Sequence, residues 1–323
     1  MSLKQPLHLR HLRWPSGRES LFWAKSLLLG GVIPVWLALC LAVAPGTGKG
    51  VPLETGEVAG IPVRGVQLAS LTSLFDSHDY DLDDVAEGRR DVPPIFVRSL
   101  PPDWRAMKAK KRKRAFVKTV LPLILKANAR IRAERAKLLD LIAAADGDLS
   151  RLPEARRGDI ERLAKRYRTE PDDLDTLKRR ADIVPVSLAL AQAANESAWG
   201  TSRFAREGNA LFGQWTWDAE DGIAPKDPQA DKGDYTVRAF DSLGHSVAAY
   251  MNNLNTHPAY ADFRERRARL RKAGKPLSGV SLAGGLLKYS QRGADYVAEI
   301  REMIRYNDFQ SLEQARLAIV PLG

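Results

Sequence analysis

The stretch that decides the fold runs from Ala189 to Gly213 and reads ALAQAANESAWGTSRFAREGNALFG. It begins inside Leu188–Ser197, a run of mostly small and apolar residues with the composition of a buried helix. Val184-Pro185 precedes this run, and because a residue before proline avoids the helical region, the helix should start after it. Ser187 can cap this helix, and Trp199-Gly200 is typical of its end. A short buried helix followed by a turn is therefore predicted.

Glu196 is a carboxylate near the C-terminal end of this helix, one turn after Gln192. Burial among apolar groups raises the pKa of a carboxyl, because the charged form loses its hydration. An acid of that kind can protonate a glycosidic oxygen near neutral pH. Composition alone leaves the alternative open that Glu196 is an ordinary carboxylate at a helix end.

Downstream, two short strands and a set of helices are predicted. Leu211–Trp217 and Tyr235–Phe240 are rich in β-favouring residues and flank a polar, turn-like segment. They predict a small β-wing inserted in a helical domain. The helices that follow are expected at Asp241–Asn255, Ala259–Lys272, Ser281–Lys288 and Asp295–Ile304.

Upstream lies a basic helical segment, residues 103–180. Its most charged part, residues 105–168, carries 20 Lys and Arg against 7 Asp and Glu. Pro122 should kink or split its long first helix. Lys108–Arg114 (KAKKRKR) would suggest nucleic acid in another context, but an export-type segment precedes it, so no nucleic-acid partner is expected. The run is either a solvated helix face or an attractor for an acidic polymer or anionic lipid.

Residues 1–44 contain Ser26–Val43, 18 residues without a charge, which is close to the length that spans a bilayer. Basic residues precede it, so the N-terminus is expected in the cytoplasm. A cleaved signal peptide is the alternative, although Pro45 follows the would-be cleavage site; a buried core helix is a third. We expect an uncleaved single-pass inner-membrane anchor. Residues 45–102 are rich in Gly, Pro and Asp and are predicted to be a periplasmic linker, with short strands near Val63–Leu68.

Several classes of protein are excluded by composition. One cysteine, Cys40, rules out a disulfide framework and a cysteine-rich zinc module. No pair of the five histidines has HExxH-like spacing, so a zinc hydrolase is not expected. Neither a metal ion nor an organic cofactor is therefore expected.

The central motif resembles the glucosaminidase domain of glycoside hydrolase family 73 and, more closely, the bacterial Bax-type proteins. The resemblance covers about residues 110–323, and 184–265 carry its specific part. The matching motifs are Ala191-Gln192-Ala193, Glu196-Ser197, Trp199-Gly200, Gly208-Asn209, Leu211-Phe212-Gly213, Phe240-Asp241-Ser242 and Asn255–Tyr260.

This resemblance implies a lysozyme-like, mainly helical (α+β) domain over 181–323 that cleaves β-1,4 bonds after N-acetylglucosamine in peptidoglycan. It gives Glu196 the role of general acid. Tyr260 matches a family tyrosine at the catalytic centre. The candidate substrate-binding residues are Gln192, Trp199, Phe212, Trp215, Asn255 and Tyr260, of which Trp199 and Phe212 could equally pack the core.

A second carboxylate is expected on the wing, where the family places it when it is assigned. The wing offers six acids, of which Glu220 and Asp234 are our choices, but all six could merely solvate a loop. Without that residue, a retaining, an inverting and a substrate-assisted mechanism all remain open.

The sequence thus predicts a membrane-tethered periplasmic enzyme acting on peptidoglycan glycan strands, of unknown oligomeric state. Two rival functions remain. A lytic transglycosylase would also use Glu196, and a wall-binding or assembly protein would need no catalysis.

Overall fold

The computed structural model describes residues 60–146, 148–216, 222–224 and 236–319. The described chain is mainly helical with two small sheets, which confirms the predicted α+β class. Its α-helices are α1 (Leu68–Ser77), α2 (Leu82–Ala86), α3 (Ala109–Ala145), α4 (Glu154–Tyr167), α5 (Leu174–Arg180), α6 (Val186–Glu196), α7 (Arg203–Gly208), α8 (Leu243–Thr256), α9 (Ala261–Lys272), α10 (Gly279–Leu282) and α11 (Ala294–Tyr306). Its strands are β1 (Ile61–Val63), β2 (Ile95–Val97), β3 (Trp215–Thr216), β4 (Gly222–Ile223) and β5 (Thr236–Arg238).

Several predicted features fall outside these residues. They are the apolar segment Ser26–Val43, the rest of 1–44, and the two wing acids Glu220 and Asp234. Within the described part of the chain, no helix has both the length and the apolar character to cross a bilayer.

Residues 60–102 fold against the main core, so the linker predicted for 45–102 is wrong over this range. β1 and β2 pair in parallel, with Ile61 opposite Ile95. The side chains of this part that join the main core include Val63, Leu71, Phe75, Tyr80, Leu82, Val85, Val92, Ile95, Val97 and Leu100. Asp103 accepts a hydrogen bond from the backbone N–H of Leu68, 3.0 Å away, at the start of α1. Short elements separated by Pro and Asp leave little periodicity in the sequence, yet they bury a continuous apolar face.

Helix α3 spans 37 residues without interruption, although Pro122 lies inside it. The predicted split is therefore wrong. An internal proline costs about 3 kcal/mol of helix stability. Each buried Val, Leu or Ile beside it contributes about 1.5–3 kcal/mol, which offsets that cost. These buried neighbours are Val120, Leu121, Leu123 and Ile124.

The basic segment 103–180 divides between two cores. The first half of α3 belongs to the main core, which draws on residues from Val63 to Leu312. The second half packs with α4 and α5 into a smaller cluster that includes Leu138, Ile160 and Leu177. Beside that cluster, the buried carboxylate of Glu134 accepts a 2.6 Å hydrogen bond from the hydroxyl of Tyr167.

Helix α6 lies at the centre of the main core. It packs against α3, α11, α10 and the 3₁₀ turn Phe309–Leu312. Nine of its eleven residues, Val186 to Ala194, are buried. A helix that is covered on every side needs small residues to let its neighbours approach, which explains its alanine-rich sequence.

The predicted wing is present in its described part. β5 is the central strand and pairs antiparallel with β3 and β4. Trp215 lies opposite Val237, and Ile223 lies opposite the same residue on the other side. Within the described residues, strand covers Trp215–Thr216 of the predicted Leu211–Trp217 and Thr236–Arg238 of the predicted Tyr235–Phe240.

Candidate active site

The N-terminus of α6 is bound by a carboxylate from the far end of the chain. Glu313 accepts hydrogen bonds from the backbone N–H groups of Val186 and Ser187, at 3.0 and 3.3 Å, and from the hydroxyl of Ser187. The helix starts at Val186, so Ser187 does not act as the predicted cap. A carboxylate at this position satisfies free N–H groups and faces the positive end of the helix dipole. Glu313 therefore fixes the helix that carries Glu196.

The C-terminus of α6 turns sharply after Glu196. Ala198, Trp199 and Gly200 follow one another in the left-handed region, with φ of 49°, 58° and 79°. Such a run is costly for residues other than glycine. The indole N–H of Trp104 stabilises it by donating to the carbonyl of Trp199 at 2.9 Å. Gly200 is required here, because a Cβ would lie only 2.8 Å from the indole nitrogen of Trp104.

Glu196 is the last residue of α6 and is half-buried, so part of its side chain stays open to solvent. A chain of hydrogen bonds leads to it from the core. The hydroxyl of Tyr250 donates to Oε1 of Gln192 at 2.6 Å, and Nε2 of Gln192 donates to the hydroxyl of Tyr296 at 2.8 Å. The hydroxyl of Tyr296 in turn donates to Oε1 of Glu196 at 2.8 Å. All three supporting side chains are buried.

This chain determines where the proton of Glu196 sits. The hydroxyl of Tyr296 accepts from Gln192 and has one hydrogen, which points at Oε1 of Glu196. The protonated acid therefore carries its proton on Oε2. That oxygen faces Gly213, where a Cβ would lie 3.9 Å from it.

Burial raises the pKa of Glu196 from 4.5 to about 7, and the negative charge of Glu299 also raises it. The hydrogen bonds from Tyr296 and Asn195 and the charge of Arg292 act in the opposite direction. A carboxylic acid with this pKa is half protonated at neutral pH, which suits a general acid. Burial also raises the pKa of Tyr296 well above its ordinary value, so it remains a neutral donor.

An aromatic cluster supports this arrangement from behind. The rings of Tyr289 and Tyr296 stack with their centroids 5.4 Å apart, and the ring of Tyr260 lies 5.8 Å from that of Tyr289. Phe212 stacks on Tyr250 at 3.8 Å. Tyr260 and Phe212 are both buried. The structure therefore brings both predicted residues to the back of the site rather than to its open side.

Gln192 is also buried, and both ends of its side-chain amide bind protein groups. Asn255 is buried in the same way: its amide donates to the carbonyl of Asp182 at 2.9 Å and accepts from Arg267 at 2.8 Å. Both amides thus bind protein groups that support the site from inside the fold. Direct binding of substrate by Gln192 and Asn255 stays a prediction.

Trp199 packs on the core rather than lining an open groove. Its ring meets Phe116 edge to face, with centroids 5.8 Å apart, and Nζ of Lys113 lies 4.8 Å from its centroid. Trp215 is half-buried on β3 and stays a candidate for the sugar groove. Glu220 and Asp234 lie outside the described residues, so their roles remain predictions.

Sequence reasoning missed Tyr250, Tyr289 and Tyr296. They lie 54 to 100 positions from Glu196, and only the fold brings them together. One signal existed: Tyr296 falls on the apolar face of α11 with Ile300 and Met303. A tyrosine on such a face needs a partner for its hydroxyl when it is buried.

As for metals, no group of three or more His, Cys, Asp or Glu side chains in the described ranges is arranged to hold an ion. The chemistry that these residues can perform is proton donation by a partly desolvated carboxylic acid.

Comparison with known proteins places this site in context. A model of the family "Mannosyl-glycoprotein endo-beta-N-acetylglucosaminidase" (Glucosaminidase) matches residues 172–309. Protein bax of Escherichia coli (strain K12) is 39% identical over 225 residues, which cover 68% of this chain and 77% of that protein. No solved structure matches the chain. The matched range contains Glu196, Gln192, Tyr250 and Tyr296.

Proposed function

Since this chain belongs to the Bax-type proteins with a glucosaminidase domain, we propose that it is a peptidoglycan hydrolase with a lysozyme-like domain. It cleaves β-1,4 bonds of the glycan strand after N-acetylglucosamine. The observation that carries this proposal is the placement of Glu196: it is a half-buried carboxyl at the end of α6 that accepts a hydrogen bond from the buried Tyr296, and burial raises its pKa to about 7.

In this mechanism, Glu196 protonates the oxygen of the scissile bond as the bond breaks. Tyr296 stabilises the carboxylate that forms, because it already donates to Oε1. Gln192 and Tyr250 keep the hydroxyl of Tyr296 in that orientation. The carboxylate then takes a proton from the attacking water or from the group that activates it. General acid catalysis of this kind typically contributes 10²–10⁴-fold.

The test is digestion of purified sacculi, with mass spectrometry of the soluble products. Products ending in reducing N-acetylglucosamine are expected. Products ending in anhydro-muramic acid would instead identify a lytic transglycosylase, and no release at all would favour the wall-binding alternative.

Glu196→Gln should abolish release while the protein stays folded, because the amide keeps the shape and removes the transferable proton. Glu302→Gln is the matched control, since Glu302 is an exposed glutamate on α11. Full release by a folded Glu196→Gln protein would overturn the mechanism.

We further propose that the enzyme acts in the periplasm and is held at the inner membrane by Ser26–Val43. The support is the uncharged 18-residue run with basic residues before it. N-terminal sequencing of the membrane fraction should give the intact N-terminus. A soluble protein that begins near Pro45 would identify a cleaved signal peptide instead.

A further inference from the structure

Three residues of α11 and of the turn before it act on the acid. Tyr296 and Glu299 are three residues apart on α11 and therefore share a helix face. Arg292 lies in the turn that precedes the helix. Tyr296, in the middle, is hydrogen-bonded to Glu196. Arg292 and Glu299, on either side of it, form an ion pair with each other. Both charges are close enough to Glu196 to act on its proton affinity.

The ion pair is open to solvent, unlike the residues that support Glu196. The side chain of Arg292 is 32% exposed and that of Glu299 is 22% exposed. A partly exposed ion pair adds little to stability. A guanidinium forms charge-assisted, often bidentate, hydrogen bonds with any carboxylate that reaches it, so the partner of Arg292 can be exchanged.

The charged and titratable groups around Glu196 come from three places. α8 supplies Tyr250, α11 supplies Tyr296 and Glu299, and the turn before α11 supplies Arg292. Among the described residues that act on the pKa of Glu196, Arg292 is the cation. A negatively charged substrate would therefore meet Arg292 as its attractive group here.

We propose that Arg292 is the anion-binding residue of this active site and takes a carboxylate of an acidic glycan strand in place of Glu299. This inference rests on the proposed function and names its substrate class: strands that carry free carboxylates next to the scissile bond. On a peptidoglycan strand such a carboxylate belongs either to the lactyl group of muramic acid or to the stem peptide.

The exchange would also act on Glu196. In the free protein, the positive charge of Arg292 lowers the pKa of Glu196 and the negative charge of Glu299 raises it. A substrate carboxylate on Arg292 neutralises the cation and releases Glu299 from its partner. Both changes favour the protonated acid, so an acidic strand would help to keep Glu196 in its reactive form.

The experiment compares three substrates: native strands with stem peptides, strands stripped of peptide by an amidase, and stripped strands whose lactyl carboxylates are amidated with carbodiimide and methylamine. The readout is the ratio of kcat/KM for an acidic substrate to that for the amidated one. The wild-type ratio should be about tenfold or more, the usual value of a charge-assisted hydrogen bond. Stripped strands report on the lactyl carboxylate and native strands on the peptide.

Arg292→Gln should lower this ratio to about one, and Arg292→Lys should restore part of it. Arg305→Gln should keep the wild-type ratio, since Arg305 is an exposed arginine near the C-terminal end of α11. The pH profile gives a second readout. The basic limb of kcat should lie at higher pH with acidic strands than with amidated ones, and this difference should vanish in Arg292→Gln.

An unchanged ratio in a folded Arg292→Gln protein, or a wild-type ratio near one, would overturn the inference. A binding measurement tests the role of Arg292 separately from the proposed function. If the wild-type protein cleaves none of the three substrates, the proposed function fails, but calorimetric titration with stripped and amidated strands still compares wild type with Arg292→Gln. Equal affinities for the two strands would then reject the role of Arg292.

Discussion

The hydroxyl of Tyr296 donates to Oε1 of Glu196 over 2.8 Å, across 100 residues of sequence. This bond joins α11 to the end of α6, and through Gln192 it extends to Tyr250 on α8. Each donor in the series already has its acceptor, so the orientation of the acid is set before substrate arrives. Preorganisation of this kind avoids a rearrangement during the reaction.

Tyr296→Phe should lower kcat by about tenfold, equivalent to about 1.4 kcal/mol of transition-state stabilisation. The variant removes the donor to Oε1 and leaves Nε2 of Gln192 without its acceptor. In the wild type, the hydrogen bond from Tyr296 lowers the pKa of Glu196. Its loss should therefore also move the basic limb of the pH–rate profile to higher pH. A tenfold loss with an unmoved basic limb would assign Tyr296 to packing alone.

The stability of the protein should depend on pH through Glu196. The pKa of Glu196 rises from 4.5 to about 7 on folding. Its favourable contribution is therefore full below about pH 4.5 and is lost as the pH rises through about 7. Glu196→Gln should match the wild-type Tm near pH 4.5 and exceed it at pH 8. Thermal unfolding at the two pH values checks this, and equal Tm differences at both would refute the raised pKa.

Gly213→Ala should lower the activity of the protein, and this loss should exceed what the effect on stability explains. Gly213 has φ of 58°, so alanine there costs about 1–2 kcal/mol of strain. Its Cβ would also lie 3.9 Å from Oε2 of Glu196 and cover the proton-bearing oxygen. We expect a loss in kcat/KM of about tenfold or more. Gly274→Ala is the control, because Gly274 has φ of 62° and open space around it. Equal activity losses in the two variants would contradict this role.

Glu313→Gln should destabilise the protein and reduce its activity together. The amide has one acceptor oxygen where the carboxylate has two, so it leaves donors at the start of α6 unpaired. An unsatisfied buried donor costs about 1–3 kcal/mol, and at about 2–4 °C per kcal/mol the Tm should fall by several degrees. Glu302→Gln again serves as the control. An unaltered Tm would show that α6 holds its N-terminus without Glu313.

The exposed lysines at the start of α3 should bind the protein to sacculi. Lys108, Lys110 and Lys111 are exposed. Replacing the three with Gln should weaken binding to sacculi at low salt, and wild-type binding should itself fall as salt is added. Lys272, Lys275 and Lys288, also exposed, replaced together give the control. Co-sedimentation measures both, and binding indifferent to salt and to this substitution would assign the charge to solubility.

The other cations of KAKKRKR are engaged in the fold, so the run is not a solvated helix face throughout. Arg114 lies 3.3 Å from Asp81 and 3.5 Å from Asp83, and Arg112 donates to the carbonyl of Met107 at 2.8 Å. The partners of Arg114 belong to the region that the sequence predicts as a linker. Counting acids only within 105–168 therefore missed them.

Local signals in the sequence predicted the elements whose important residues are adjacent in the chain. The alanine-rich run and Trp199-Gly200 placed α6 and its end, and the motif singled out Glu196. The residues that orient Glu196 could not be predicted in that way. Tyr296 and Tyr250 reach it through contacts between separate helices, and nothing local to Gln192 shows that both ends of its amide bind protein groups.

The carboxylate at the start of α6 also has a consequence for biosynthesis. Val186 is synthesised 127 residues before Glu313. A growing chain therefore contains Glu196 long before it contains the Glu313 carboxylate that binds the start of its helix. Proteolytic clipping just after Leu312 would recreate that state in a finished molecule. Loss of the segment that begins at Glu313 would therefore leave the start of α6 without its carboxylate.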